Sequence, residues 1–380
     1  MYDILFRNCT CLDLTTGKER LCDVGVSEGL ISSVREHAEP ATSAKKMIDC
    51  SGNYLFPGFI DFHTHLFAHG STFGMDADRL MSAGITTAVD MGTAGWVNYP
   101  AFHKCDLEGK RIRLKSFLNI SPIGQPGKGI NEPLMESVIS EENIEKTLKD
   151  WPGEIVGIKV RISRSIVGDL GLKPLQRAVE IAGHLGLPTC VHTTDPPSST
   201  ADIVRILRPG DIYSHTYHGE GNTILGSDGH VLPEILRARD EGLLFEVGNG
   251  RKNFAFNTAE PALKDGLFPA LITSDSTATT FHKDPCMWDL PFVMSKFLFL
   301  GMSLPDVIRS VTETPAKCLG ISDQFGAIRE GYTADLTLCR VGEEEIHLLD
   351  SSGNERTGHV SIKPLMTVID GQIVFGDELN

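Results

Sequence analysis

"YLFPGFIDFHTH", residues 54–65, is the stretch on which the reading of this chain turns. An apolar run of strand length ends in two histidines, His63 and His65, one residue apart. Strand side chains alternate between faces, so residues two apart share one, and both imidazoles can point the same way. Alone the pair is a weak sign, because polar residues gather wherever a strand meets a loop. It gains meaning only if other strands also end in metal-ligand residue types.

Further apolar runs follow at regular intervals: "TTAVDM", "LKSFLNI", "IVGIKV", "PTCVHT", "DIYSHT", "LLFEVG" and "ALITSD". Helix-length amphipathic segments separate them, as parallel βα units require. In "LKPLQRAVEIAGHLG", Leu175, Val179, Ala182 and Leu185 share one helical face, and Gly186 stands where a C-cap is expected. Eight such units predict an α/β fold, a (β/α)8 TIM barrel over residues 57–320, with a doubly wound open sheet as the main rival. No GxGxxG opens a helix after the first strand and no GxxxxGK[ST] occurs, so nothing points to a nucleotide fold. The ends of the chain differ from its middle. "DILFRNCTCLDL" and "DVGVSEGLISSVRE" alternate apolar and polar residues, as do "ADLTLCRV" and "LMTVIDGQIVFG". These predict one small β-sandwich domain built from residues 1–56 and 321–380, to which His37, His347 and His359 belong.

In a barrel the catalytic groups sit at the C-terminal ends of the strands. There the sequence places His63 and His65, Lys159, His192, His215 and Asp275. Imidazoles and a carboxylate suit a borderline divalent ion such as zinc. Lys159 is the odd member, since an ammonium repels cations. A desolvated lysine beside metals is expected to have a depressed pKa. The neutral amine can capture carbon dioxide as a carbamate, an anion able to bridge two metals. The expected site is therefore binuclear, with two divalent ions, most simply Zn2+, and carboxylated Lys159 between them. Each residue also has a plain reading: loop polarity for the His63/His65 pair, a solvent-reaching strand lysine, hydrogen-bonded interior histidines, and a helix cap at Asp275. Their succession at one strand end after another favours the site. His69, His103, His184, His230 and His282 read as surface, helix or loop residues.

Composition narrows the function. At 380 residues and 41% hydrophobic, the chain buries a large core. Its net charge of −15 argues against nucleic acid or an anionic membrane as partner and leaves a small-molecule substrate. Nine scattered cysteines without a CxxC predict free thiols in a reducing, cytoplasmic setting, and no signal peptide or membrane span is visible.

"PGFIDFHTH", followed in order by Lys159, His192, His215 and Asp275, resembles the amidohydrolase superfamily. "TPAKCLGI" and "GAIREGYTADLTL" resemble the stretch where such barrels return to a small β domain, and "VIDGQIVFG" its last hairpin. The resemblance implies that His63, His65 and Asp275 hold one metal, His192 and His215 the other, with Lys159 as bridge. It implies a bridging hydroxide attacking a polarised carbonyl, with Asp275 the catalytic acid–base. Dihydroorotases and hydantoinases typically carry an arginine soon after the HxH, and "HTHLFAHG" has none. The chain is more similar to the dihydroorotase-like deacetylase group, some members of which hydrolyse acetyl esters of 2-hydroxy acids. It departs from that group's "GHG" after strand seven, reading Gly248-Asn249-Gly250. The expected activity is hydrolysis of an acyl, chiefly acetyl, amide or ester of a small carboxylate-bearing molecule; the rivals are a cyclic amidase and a non-catalytic scaffold of the same fold. Arg161 is the first choice as carboxylate clamp, with Asn119, Asp90, Tyr217, His218 and Arg251 as further pocket candidates. Barrel hydrolases of this sort commonly form homo-oligomers, and the same is expected here.

Overall fold

The computed structural model describes residues 1–36, 43–127 and 129–376. His37 lies outside the described residues.

Two sheets organise the chain. The N-terminal strands are β1 (Tyr2–Leu12), β2 (Glu19–Ser27), β3 (Leu30–Glu36), β4 (Ala44–Asp49) and β5 (Tyr54–Pro57). They join three strands from the far end of the chain, β13 (Leu336–Leu349), β14 (Glu355–Ile369) and β15 (Gln372–Phe375). The hydrogen-bonded order is β15-β14-β13-β5-β1-β2-β3, with β4 pairing β1 off that path. Ile4, Phe6, Val24, Val26 and Ile31 pack with Leu336, Leu338, Met366 and Val368, so the two termini share one core.

Between these ends lie β6 (Phe59–Thr64), β7 (Ile85–Gly95), β8 (Arg113–Asn119), β9 (Ile155–Arg161), β10 (Thr189–His192), β11 (Ile212–Ser214) and β12 (Leu244–Glu246). They form a parallel sheet in sequence order. β6 and β7 are buried along their whole length, which is why they read as continuous apolar runs instead of alternating ones. The sheet is curled in the manner of a TIM barrel. Segment 271–276 bridges Glu246 on one edge strand and Thr64 on the other, both in parallel register. "ALITSD" is thus an isolated-bridge connection where a regular eighth strand was expected. Its carbonyls accept from the loop after β12, at Val247, Asn249 and Gly250, and Asp275 then breaks the extended run with a φ of +56°.

Gly58 joins the two sheets. A Cβ there would overlap the Thr86 side chain, so only glycine lets the chain pass. The helix over Lys173–His184 buries Leu175, Ala178, Ile181 and Ala182. Val179 and Leu185, expected on the buried face, are only partly covered. Gly186 has a φ of +68° just past the helix, as its C-terminal position predicted. All nine cysteines are unpaired. Among the described residues no helix is long and apolar enough to cross a membrane.

Candidate metal centre

The C-terminal strand ends converge. His63 is the penultimate residue of β6, and His65 is the first residue beyond the strand. Asp275 Oδ1 lies 3.6 Å from His63 Nε2 and 3.1 Å from His65 Nε2. Ligand atoms of these three residues all fall within 4.8 Å of one another. The His215 ring stands 5.1 Å from that of His63 and 4.2 Å from that of His192. His215 and Asp275 both hold left-handed backbone, φ +65° and +56°. Such strain in non-glycine residues costs on the order of 1–3 kcal/mol and persists only where the surroundings enforce it.

Hydrogen bonds settle which imidazole nitrogen faces the centre. The Thr93 hydroxyl donates to Asp90 Oδ2 at 2.7 Å, so toward His65 Nδ1, also at 2.7 Å, it can only accept. His65 therefore carries its proton on Nδ1 and offers the Nε2 lone pair to Asp275's side. His215 Nδ1 donates to the Gly248 carbonyl at 2.8 Å. His63 Nδ1 donates to Glu246 Oε1 at 3.2 Å, with Ser214 Oγ at 3.3 Å. Three imidazoles thus present Nε2 inward, held by outer acceptors of the kind that orient metal ligands.

Charge reinforces the geometry. Burial pushes His63 well below its usual range, with the Lys159 charge adding to it. Burial likewise lowers His192 well below, with His215 second, and lowers His215 to about 3. Burial works to raise Asp275, and proton-bearing His65, His63 and His215 facing it would more than reverse this and lower it. Burial keeps His63 and His215 neutral and His65 holds its one proton on Nδ1, so these rings do not supply that positive charge themselves. An ionised carboxylate facing neutral imidazoles lacks a positive counterpart, and a divalent cation is what such a donor set accommodates. Lys159, 1% exposed, makes its one hydrogen-bond contact through Nζ with Cys190 Sγ at 3.6 Å, and no carboxylate lies within ion-pair range among the described residues. Gly92, φ +74°, leaves it room: a Cβ there would overlap Lys159 Cβ.

The pocket candidates divide. Tyr217 is corrected. Its hydroxyl donates to the Leu267 carbonyl at 2.8 Å inside the core and its ring packs on Phe254 and Phe297, because the chain turns inward after His215. Arg161 is ion-paired with the buried Glu132, although its Nε is buried without a partner. Arg251 is engaged by Asp284 and the Thr279 carbonyl. Asn119 binds the Gly92 carbonyl and the Ser121 amide, and Asp90 is spent on Thr93 and the Leu66 amide. His218 is fully buried with neither ring nitrogen bonded, and burial lowers it to about 4. Asn253 was missed: its Nδ2 donates to Asp275 Oδ2 at 2.9 Å while Thr194 Oγ1 donates to its Oδ1 at 2.8 Å. Glu246, Thr93 and Glu132 were missed as well. No local motif marks any of the four.

The sequence model of the Amidohydrolase family matches residues 54–374. A deacetylase of Enterococcus faecalis is 30% identical over 98% of this chain and 99% of its own length. A solved structure described as an adenine deaminase superposes with a TM-score of 0.89 at 30% identity, covering 98% of this chain and 99% of that one. Another, described as a dihydroorotase, gives 0.87 at 27% identity, covering 97% and 98%. With that match spanning most of its length and the histidines and aspartate gathered at the strand ends, the chain belongs to the Amidohydrolase family and is a hydrolase acting on C–N bonds.

Proposed function

We propose that this protein is a two-metal deacylase, removing an acyl group, most simply acetyl, from an amide or ester of a small carboxylate-bearing molecule. In this reading residues 57–320 form a complete (β/α)8 hydrolase barrel, and residues 1–56 with 321–380 a small β-sandwich. His63, His65 and Asp275 would hold one ion, His192 and His215 a second, and Lys159 as a carbamate would add an anionic ligand. The observation that carries the reading is the meeting of His63, His65 and Asp275 within 4.8 Å, with inward Nε2 lone pairs. When bound, two zinc ions lower the pKa of a shared water and polarise the scissile carbonyl.

The chain's own residues do the rest. Asp275 takes the proton from the attacking water and returns it to the departing nitrogen or oxygen. Asn253 steadies its other oxygen. Glu246, Thr93 and the Gly248 carbonyl hold the imidazole rings against rotation. Arg161, beside His192 in register and with Nε unpaired, offers a donor to the substrate carboxylate, and the unpartnered His218 offers a second contact. The unpaired cysteines suit a cytoplasmic setting.

The test is metal analysis of purified protein followed by a panel of N-acetyl amino acids, O-acetyl hydroxy acids, dihydroorotate, hydantoins and adenine. Two metals per chain with turnover confined to the acetylated compounds is the expected result. Ring opening or ammonia release as the sole activity overturns the substrate class. Absence of bound metal after growth with zinc overturns the centre.

A further inference from the structure

The loop Gly248-Asn249-Gly250 touches the centre from two sides. The Gly248 carbonyl accepts from His215 Nδ1 at 2.8 Å. Gly250 lies so close to Asp275 that a Cβ there would overlap Oδ2, and a Cβ on Gly248 would overlap His215 Nδ1. Both glycines have positive φ, +49° and +45°, which other residues rarely adopt. The backbone amides of Gly248, Asn249 and Gly250 are bonded to Thr273 and Ser274, and a side chain secures the loop from its other face.

Asn249 supplies the hold. Its side chain is fully buried, and Nδ2 donates to the Gly250 and Cys286 carbonyls, each at 2.9 Å. Its Oδ1 accepts from Lys296 Nζ at 2.8 Å, and the same ammonium donates to the Cys286 carbonyl at 2.9 Å. Lys296 belongs to the helix over Leu290–Phe299 and is fully buried. It sits over the Phe254 ring at 4.4 Å and the Phe292 ring at 5.5 Å. No carboxylate pairs with it among the described residues. A buried lysine bonded only to an amide and a carbonyl is costly to keep, and it does not stabilise the fold by ion pairing. Among the described residues its one side-chain hydrogen-bond partner is the middle residue of the loop that touches His215 and Asp275.

We propose that Lys296 is a positioning residue for the metal centre, acting through Asn249 on the conformation of loop 248–250. Resting on the two-metal reading above, the inference adds a second tier behind it: helix, lysine, asparagine, loop, then ligands. Loss of the Lys296–Asn249 bond removes the side-chain anchor on that face and lets the Gly248 carbonyl shift against His215, with the backbone bonds to Thr273 and Ser274 as the remaining hold.

The experiment uses cobalt(II) in place of zinc in the whole protein, because the visible spectrum of cobalt reports ligand geometry without substrate. K296M, N249A and the double variant are compared with wild type by spectrum, kcat, KM on an accepted acetylated substrate, and thermal midpoint. The expected result is an altered spectrum and a kcat about tenfold or more lower in both single variants, with KM within about twofold. The double variant falls no further than the worse single one, since both break the same link. K296Q, which keeps a donor, recovers part of the loss. Should K296M fail to fold, N249A carries the test, because it leaves the helix intact. Unchanged spectrum and kcat in N249A, or additive losses that track the thermal midpoint alone, overturn the inference while leaving the centre standing. Wild type that takes up no cobalt removes both.

Discussion

Among the described residues two lysines are buried, and their surroundings are opposite. Lys296, on the helix over Leu290–Phe299, is met by an amide oxygen, a carbonyl and the face of an aromatic ring. Lys159, at the end of β9, meets only a thiol sulfur at 3.6 Å and stands among imidazoles. A buried ammonium needs dipoles around it, and the first site supplies them. The second does not. The proposed chemistry at Lys159 Nζ fits the poorer set of acceptors, and the proposed positioning role of Lys296 the richer one. That contrast turns two residues of one type into two different hypotheses.

The largest test breaks the contrast at Lys159. K159A is expected to lower kcat by about 10³-fold or more and to reduce bound metal below two per chain, with partial rescue by acetate or propionate. Normal metal content and turnover in that variant would make Lys159 as structural as Lys296. Next in size is E246Q, which replaces the carboxyl acceptor of His63 Nδ1 by an amide. Metal affinity is expected to fall about 10- to 100-fold, measured by chelator competition, with little change in thermal midpoint after metal is restored.

A third test sharpens the Lys296 side. Burial lowers this lysine from 10.5 to about 7; the groups facing it from neighbouring elements are Cys286, Asp350 and Asp284. Between pH 7 and 10.5 the unfolded chain then binds a proton that the folded one lacks, so stability from this group rises with pH across that window. Below pH 7 both states are protonated and the penalty is complete. The wild-type unfolding free energy should therefore climb relative to K296M by up to about 1.4 kcal/mol per pH unit there. Parallel curves would show that Lys296 stays charged. The smallest effect is Y217F, which leaves the Leu267 carbonyl without its donor. A loss of about 1 kcal/mol in stability with unchanged kcat/KM is expected. A large rise in KM instead would return Tyr217 to the pocket.

The ligand-type residues were readable because strand periodicity constrains them. A histidine or aspartate closing an apolar run is confined to one end of a parallel sheet, whatever the rest of the chain does. His63, His65 and Asp275, which meet within 4.8 Å of one another, were placed at that end by this alone. The residues that orient them had no such handle. Glu246 stands 183 residues from His63, and Asn253 lies in an irregular loop. Tyr217 was misread for the related reason that side-chain direction beyond a strand end depends on the loop's path, which periodicity does not set. Arg161 has the expected strand parity, yet its charge is met by Glu132 from another loop.

The order of strands and the residue types at their ends follow from the sequence alone, because hydrophobic period and chain order are local properties. Which nitrogen of each imidazole faces inward, which lysine is left without acceptors, and which glycines lie against the ligands were decided by tertiary structure. Those depend on hydrogen bonds between segments far apart in the chain, and such contacts have no period to read.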